Sequence, residues 1–303
     1  MSSYKKIFCS FASSNLWRSL ERIKKQAEDM HVYDQIYVYD EHDLDIEFKK
    51  HFKDKLIPSR GFGYWVWKPQ VILQALEKMN DGDILQYADA GCHLNKRGVK
   101  RLNEYFEMAN TSGTGILAFQ SKKPDDERLL KALDIPEKQW TKGDVFDYFG
   151  VRSSKEIYES EQISAGILFV KKTEESVSII REFLQVFYDD FSLADDSPSK
   201  APNFNGFIEN RHDQSIFSII TKKYNILTVS CYEFWQLDFN FYKLKYYPIW
   251  AIRDKDNGGD NLLKKIQKKL KKISLVRFVY YTLKRWKHYF FPYEIERITK
   301  TKR

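Results

Sequence analysis

The sequence is poor in the residues that would indicate a disulfide-stabilised or membrane-spanning protein. Its three cysteines, Cys9, Cys92 and Cys231, are far apart, so neither a disulfide framework nor a zinc motif is indicated. No stretch reaches the roughly 18 to 20 consecutive apolar residues that cross a bilayer. The first residues also lack the apolar core of a signal peptide. We therefore expect a protein of the reducing cytosol.

Glycine is missing where a nicotinamide enzyme would need it. The loop after the first predicted strand reads CSFASSN over residues 9–15 and contains no glycine. Dinucleotide-binding folds place a G-x-G-x-x-G segment there, because glycine lets the backbone approach the pyrophosphate. The composition of this loop argues against an NAD enzyme.

Positive charge is abundant, but it is unevenly placed. The formal net charge is +8, and residues 261–303 contain 14 Lys and Arg against two Glu. The tail therefore carries +12 and the preceding chain −4. A nucleic-acid enzyme would be expected to carry its basic patch on the folded domain, whereas a basic extension on an acidic body is more typical of binding to anionic lipid. We expect no nucleic-acid partner.

Strand-like and helix-like segments alternate along the chain. Strands are predicted over 6–10, 35–39, 83–87, 115–119, 165–170 and 226–229. Helices are predicted over 15–30, 69–78, 96–108, 174–187 and 213–222, with short helical pieces at 125–133 and 141–149. This alternation predicts an α/β domain over 1–258, with a mostly parallel sheet covered by helices on both faces. Ligands bind such sheets at the carboxyl ends of the strands.

The tail at 259–303 has a different pattern. Leu262, Leu263, Ile266, Leu270 and Ile273 recur at helical spacing among six lysines. One face of such a helix is apolar and the other cationic, and a mixed aromatic and basic stretch follows it. We predict that this helical tail docks on an anionic membrane surface. The alternative is a helix pair packed on the domain, with its lysines in solvent.

The clearest chemical signal is the segment DGDILQYADAGCH at residues 81–93. A predicted strand ends directly in Asp89, followed by Ala90 and Gly91, so a carboxylate stands where a ligand would lie. Such an acid can hold a divalent ion that neutralises a diphosphate, and His93 could add a ligand. The structural alternatives are that Asp89 caps a helix and that His93 only packs beside a turn.

Three further segments combine polar and small residues. The segment RGFGYWVWKP at 60–69 offers glycines, aromatic faces and the phosphate-pairing cations Arg60 and Lys68; a packed aromatic corner explains it equally well. Arg211, His212, Asp213 and Gln214 crowd a predicted helix start, where anions are favoured; the structural alternative is that Asp213 only caps this helix. At 161–166 the small residues let sugar hydroxyls approach the backbone, and Glu161, Gln162 or Ser164 could bind them, although an ordinary strand start is nearly as good an explanation.

Taken in order, these motifs resemble bacterial surface-polysaccharide and lipopolysaccharide glycosyltransferases of the Rossmann-like GT-A fold. The resemblance covers residues 4–255 and consists of the first loop, G-Y-W-x-W-K-P, D-A-G, W-T-K-G-D at 140–144 and H-D-Q. It implies a nucleotide-diphosphate sugar donor. The implied donor-binding residues are Ser10, Phe11, Ala12, Arg60, Gly63, Tyr64, Lys68, Asp89, Ala90, Gly91, Gln162, Ser164, Arg211 and Gln214.

The resemblance also implies catalytic and metal roles. Asp213 or Glu161 is expected to activate the acceptor hydroxyl, and Asp89, His212 and His93 are expected to contact Mn²⁺ or Mg²⁺. Gly91 stands where the family's D-x-D motif has its second acid, which weakens the expectation of a metal.

The expected activity is transfer of a hexose, with galactose preferred, to a lipid-linked surface glycan such as capsule, O-antigen or lipooligosaccharide. The enzyme would work on the cytoplasmic face of the membrane. Two other readings stay open: a polysaccharide phosphotransferase, and a non-catalytic protein that binds glycan or nucleic acid.

Overall fold

The computed structural model describes residues 4–57, 60–129, 133–236 and 243–255. The predicted tail at 259–303 lies outside these residues, so its helix and its membrane contact stay predictions. None of the helices within the described part is long and apolar enough to cross a membrane.

Eight strands and ten helices are found in the described residues. The strands are β1 (Lys6–Phe11), β2 (Gln35–Tyr39), β3 (Ile84–Ala88), β4 (His93–Leu94), β5 (Ile116–Gln120), β6 (Ile163–Lys171), β7 (Leu227–Ser230) and β8 (Ile249–Trp250). The helices are α1 (Trp17–Met30), α2 (Ile46–His51), α3 (Gly61–Tyr64), α4 (Trp67–Glu77), α5 (Val99–Thr111), α6 (Glu137–Trp140), α7 (Gly143–Tyr148), α8 (Lys155–Tyr158), α9 (Glu174–Asp189) and α10 (Asp213–Lys223).

Six strands form one sheet in the order β2-β1-β3-β6-β5-β7. β1 is parallel to β2 and to β3, and β5 is parallel to β7, whereas β6 is antiparallel to both of its neighbours. The predicted mostly parallel sheet is confirmed, with β6 as the reversed strand. The carboxyl ends of β1, β2, β3, β5 and β7 therefore share one edge.

The sheet is buried on both faces because most of its strands supply apolar side chains to two cores. In β1, Ile7 and Cys9 pack into one core and Phe8 into the other. The first core contains residues of α4, α9 and α10, and the second contains residues of α1 and α5. Helices on both faces are thus confirmed.

The local sequence explains how two of these helices are placed and bounded. The buried residues of α1 fall at helical spacing, at Ser19, Ile23, Ala27 and Met30. α9 begins with a capping box in which Thr173 and Ser176 satisfy each other's backbone N–H groups. The other boundaries lie within a few residues of those predicted, as is usual for helix and strand ends.

The region between β5 and β6 departs from the prediction. Residues 125–129 form turns and bends instead of the expected helical piece, while α7 confirms a short helix within 141–149. The segment after β7 was not assigned any element, yet β8 pairs antiparallel with β4, so that His93 opposes Trp250. This pairing brings residues 249–255 beside the turn that follows β3.

Candidate functional site

A lysine held between two carboxylates lies at the carboxyl end of β3. The Lys68 ammonium is 2.6 Å from Asp213 Oδ2 and 3.4 Å from Asp89 Oδ1. The Tyr87 hydroxyl donates a hydrogen bond of 2.8 Å to the same Asp89 oxygen. Three predicted motifs, G-Y-W-x-W-K-P, D-A-G and H-D-Q, therefore meet at one point.

Backbone contacts fix where each charged group stands. Asp89 follows β3 directly; its N–H donates to the Gly166 carbonyl of β6, and its carbonyl accepts from the N–H of Cys92. Lys68 is the second residue of α4, and Asp213 is the first residue of α10. A carboxylate at that end of a helix is favoured by the partial positive charge of the free N–H groups.

The two carboxylates differ in their access to solvent. Asp213 is 4% exposed, whereas the side chain of Asp89 is 36% exposed. Burial raises the pKa of Asp213 to about 6, with Lys68 opposing the shift and Asp89 adding to it. Burial by itself would lower the pKa of Lys68, but the charges of Asp213 and Asp89 outweigh it and raise the pKa, so the ammonium stays protonated. Asp89 is thus the carboxylate of this cluster that a ligand can reach.

The turn immediately before Lys68 is strained. The backbone is left-handed at five consecutive residues, with φ of 64° at Gly61, 50° at Phe62, 81° at Gly63, 53° at Tyr64 and 62° at Trp65. For residues with a side chain this conformation costs about 1–2 kcal/mol each. Strain of this kind persists where the surrounding structure holds it, and it concentrates at functional sites.

The two glycines of this turn have distinct steric reasons. A Cβ added at Gly63 would lie 2.8 Å from the carbonyl oxygen of Lys55, and one added at Gly61 would lie 2.5 Å from the ring of Trp65. The Trp67 indole N–H donates to the Gly61 carbonyl over 3.1 Å. The predicted donor-binding residues Gly63 and Tyr64 therefore shape the backbone that leads into α4.

His212 is enclosed beside this turn. Its ring centroid is 5.2 Å from that of Tyr64 and 5.5 Å from that of Trp65. Its Nδ1 lies 2.6 Å from the carbonyl oxygen of Ala194, and because a carbonyl can only accept, Nδ1 carries the proton. Its Nε2 lies 3.9 Å from Asp196 Oδ1, and burial lowers the pKa of the ring. Among the described residues Nε2 has no hydrogen-bond partner, and the predicted contact of His212 with a metal or pyrophosphate stays a prediction.

Arg60 and Arg211, two of the predicted donor-binding residues, are each held by a protein partner. Arg60 is exposed, and its guanidinium forms an ion pair of 3.1 Å with Asp196. Arg211 stacks on Trp140, with its guanidinium carbon 4.1 Å from the ring centroid, and its N–H donates to the Trp140 carbonyl. The W-T-K-G-D segment thus supports the start of α10.

The residues predicted around the start of β6 have separate partners. Gln162 is buried, and its side-chain carbonyl accepts a hydrogen bond of 2.7 Å from the Gln214 amide. The Glu161 carboxylate accepts from the N–H of Ile135, and Ser164 accepts from the N–H of Gly166. Glu161 is not brought into the cluster of Lys68 with its two carboxylates, so its catalytic role gains no support from this geometry.

The first-loop residues are occupied by protein contacts. The Ser10 hydroxyl is fully buried and donates to the Ala88 carbonyl over 2.8 Å. The ring of Phe11 stacks on that of Trp67 with centroids 4.0 Å apart, and Ala12 is 4% exposed. These side chains pack against β3 and α4. Their predicted contact with a nucleotide stays a prediction.

The D-A-G turn is held by two segments distant in sequence, α1 and the residues after β8. Arg22 donates to the Ala90 carbonyl over 2.7 Å and forms an ion pair of 3.2 Å with Asp254. The N–H of Asp254 donates to the Gly91 carbonyl over 2.9 Å. His93 lies on this side too, with Nε2 3.1 Å from the Asp254 carboxylate.

The predicted metal ligands have separate protein partners in this arrangement. Within the described ranges no group of three His, Cys, Asp or Glu side chains could hold a metal ion. Asp89 contacts Lys68 and Tyr87, His93 Nε2 contacts Asp254, and His212 Nδ1 contacts the Ala194 carbonyl. The contact of Asp89, His93 and His212 with Mn²⁺ or Mg²⁺ therefore stays a prediction.

Sequence reasoning missed four residues that complete this region. Tyr87 had a readable signal, since it lies two residues before Asp89 and so points to the same face of the strand. Asp196 and Arg253 had none, because each reaches the site from a segment without a motif. Trp140 belonged to a recognised motif but had been given no role.

Comparisons with known proteins give structural similarity without sequence matches. No protein-family model and no curated protein matches the chain. A glycosyltransferase involved in glycosylation of the major capsid of PBCV-1 is 10% identical, with a TM-score of 0.45 over 84% of this chain and 96% of that one. Mouse xyloside xylosyltransferase 1 is 9% identical, with a TM-score of 0.42 over 85% and 99%.

A third similar structure is the glycosyltransferase GlyE of Streptococcus pneumoniae, which is 10% identical, with a TM-score of 0.41 over 93% of this chain and 65% of that one. The structural neighbours are thus glycosyltransferases. At these identities and TM-scores, however, the similarities carry no argument about the activity of this chain.

Proposed function

We propose that the protein is a glycosyltransferase that moves a sugar from a nucleotide-diphosphate donor to an acceptor hydroxyl. The observation that carries the proposal is the cluster at the carboxyl end of β3, where Lys68 lies between the reachable Asp89 and the buried Asp213. Open α/β sheets bind their ligands at this edge. The order of the sequence motifs supports the same proposal.

In this proposal the cluster supplies a carboxylate that faces the ligand and a charged group that is fixed in place before the reaction. Asp89 presents a carboxylate to the ligand, held in place by Tyr87 and Lys68. Charges that are fixed before the reaction stabilise the transition state without the cost of reorganising. Asp213 acts as a positioning residue in this proposal, because its carboxylate is bound to the Lys68 ammonium and holds it 3.4 Å from Asp89.

The finer proposal concerns the sugar and the acceptor. The resemblance in motif order favours a UDP-linked hexose, with galactose first, and a lipid-linked capsule, O-antigen or lipooligosaccharide acceptor. The basic tail supports a membrane-associated acceptor, since each Lys or Arg near an anionic surface contributes about 1 kcal/mol. Sedimentation of the full chain with phosphatidylserine vesicles tests this; equal sedimentation with neutral phosphatidylcholine vesicles would contradict it.

The activity itself is tested by donor turnover. The purified full chain would be assayed against UDP-, GDP-, CMP- and TDP-sugars, with and without Mn²⁺, beside the variant Asp89→Asn. We expect one donor to be hydrolysed, and the variant to lose about 100- to 1000-fold of that rate, as removal of one preorganised group does.

The matched control is Asp81→Asn, at the opposite end of the same strand, whose side chain is 90% exposed. It should keep the wild-type rate. Equal rates for Asp89→Asn and the control would contradict the assignment of the site. Absence of turnover with every donor would favour a phosphotransferase or a binding protein.

A further inference from the structure

An arginine that no motif contains is held against the D-A-G turn. The Cα of Arg253 lies 3.5 Å from the point where a Cβ on Gly91 would stand. The next N–H, that of Asp254, donates to the Gly91 carbonyl over 2.9 Å. Arg253 has a left-handed backbone with φ of 57°. The backbone of the segment after β8 therefore packs directly against the D-A-G turn.

The anchoring leaves the Arg253 side chain available. Asp254 is fixed by Arg22 and His93, with contacts of 3.2 Å and 3.1 Å. The Arg253 side chain is exposed, and among the residues that the structure describes its guanidinium forms no hydrogen bond or ion pair. An exposed cation is thus carried by a backbone that contacts Gly91, two residues after Asp89.

A second guanidinium lies on the α10 side of the same site. Arg211 precedes Asp213 by two residues, and its stacking on Trp140 fixes the plane of the group. Besides burial, the charges of Arg253 and Arg60 lower the pKa of Arg211, although Glu209 opposes the shift. Arg211 also forms an ion pair of 3.3 Å with Glu209. Asp213 contacts the Lys68 ammonium, which contacts Asp89, so the start of α10 carries Arg211 to the same cluster.

The chemistry of these groups selects phosphate. The planar fork of a guanidinium donates two parallel hydrogen bonds to phosphate oxygens, which an ammonium cannot do. Among the described residues no group of three His, Cys, Asp or Glu side chains that could hold a metal ion includes Asp89. The positive charge for a diphosphate is available here from side chains of the protein.

We propose that Arg211 and Arg253 clamp the diphosphate of the donor from the two sides of the D-A-G turn, so that guanidinium groups neutralise it in place of a divalent metal ion. This inference rests on the proposed function, because it assigns the part of the donor that the site holds. Gly91, where the family's second acid would stand, lies in backbone contact with the Arg253 segment.

Binding of UDP and of inorganic pyrophosphate to the full chain tests the clamp, measured by calorimetry in EDTA. Wild type should bind both ligands, and Arg253→Gln should weaken both by about 10- to 100-fold, the size expected for loss of charged hydrogen bonds. The affinities of Arg253→Lys should lie between those of wild type and Arg253→Gln, because lysine keeps the charge but loses the planar fork of hydrogen-bond donors. The matched control Lys255→Gln removes an exposed charge from the same segment and should stay within about two-fold of wild type.

Arg211→Lys provides a second variant on the other side of the turn, and it too should weaken both ligands. The clamp is overturned if wild type binds UDP only after Mn²⁺ is added, if it binds neither ligand, or if Arg253→Gln matches the Lys255→Gln control.

The experiments can contradict the clamp and the proposed function independently of each other. Pyrophosphate binding that depends on Arg253, without turnover of any sugar nucleotide, would support the clamp and contradict the glycosyltransferase. Sugar-nucleotide turnover that is indifferent to Arg253→Gln would support the glycosyltransferase and overturn the clamp.

Discussion

Two lysines of this protein are paired with carboxylates inside the fold, and their surroundings differ. Lys222 lies 2.6 Å from Glu137, whose side chain is fully buried. The Glu137 oxygens also accept from the hydroxyls of Ser218 and Thr141 and from the Gln162 amide. We call this network closed, because the Glu137 carboxylate is fully buried and is held by four protein side chains.

The pair at the end of β3 is open by comparison. Lys68 is as close to its buried partner, Asp213, as Lys222 is to Glu137, but a second carboxylate, Asp89, reaches solvent. A buried pair with its partners satisfied holds segments of chain together. A cluster with an accessible carboxylate at a sheet edge can also bind a ligand. The difference between the closed and the open network separates structural from functional charge in this molecule.

The largest expected effect is on the closed network. Glu137→Ala leaves the Lys222 ammonium without its partner in a place where burial already lowers its pKa. Breaking a buried pair in this way costs about 3–5 kcal/mol. We expect urea unfolding of the full chain, followed by tryptophan fluorescence, to show a loss of stability of that size.

Asp89→Asn is the matching change in the open network, and its stability should fall by about 1 kcal/mol at most, as for partly exposed pairs. If both variants lost the same stability, the distinction between closed and open networks would be wrong.

The comparison also shows what the sequence can and cannot predict. Asp89 was placed at a strand end because a short apolar run stopped at it, and both Lys68 and Asp213 lay in recognisable motifs. Their contact was not predictable, because it joins positions 145 residues apart. Glu137 left no signal at all, since one glutamate in a charged region looks like a solvated residue until the fold buries it.

The partner of His93 was hidden in the sequence for a related reason. A strand-terminal acid with a histidine two residues later resembles a ligand pair in sequence. In the fold, β4 pairs with β8, and His93 contacts Asp254 in the segment after β8. The sequence predicts neither of these two short strands. Short pairings between distant segments leave little pattern in the sequence, so the partner of His93 became visible only in three dimensions.

A smaller effect is expected from crowding the open carboxylate. A Cβ added at Gly166 would lie 3.0 Å from Asp89 Oδ2, so Gly166→Ala forces the Asp89 side chain to move by a few tenths of an ångström. Misplacement of a reacting group by 1 Å can cost about 100-fold in rate, so we expect donor turnover to fall by about 10-fold. Gly113→Ala is the matched control, because nothing lies within 4 Å of its added Cβ. Equal turnover of the two variants would remove Asp89 from the site.

The smallest effect concerns the hydroxyl that holds Asp89. Tyr87 is fully buried, and burial together with Asp89 raises the pKa of its hydroxyl, which therefore remains a donor. Tyr87→Phe removes the 2.8 Å hydrogen bond to the carboxylate. A hydrogen bond to a charged group is worth about 1.5–3 kcal/mol, but Lys68 still contacts Asp89, so turnover should fall only about two- to five-fold.

Tyr105→Phe is the matched change in a closed network, since the Tyr105 hydroxyl donates to buried Glu233 over 2.6 Å. It should lower stability by about 1 kcal/mol and leave turnover unchanged. Because both hydroxyls are buried and both bind a carboxylate, the pair of variants isolates accessibility as the variable. A loss of turnover in Tyr105→Phe as large as in Tyr87→Phe would mean that stability alone accounts for the effect, and that the open cluster has no special role.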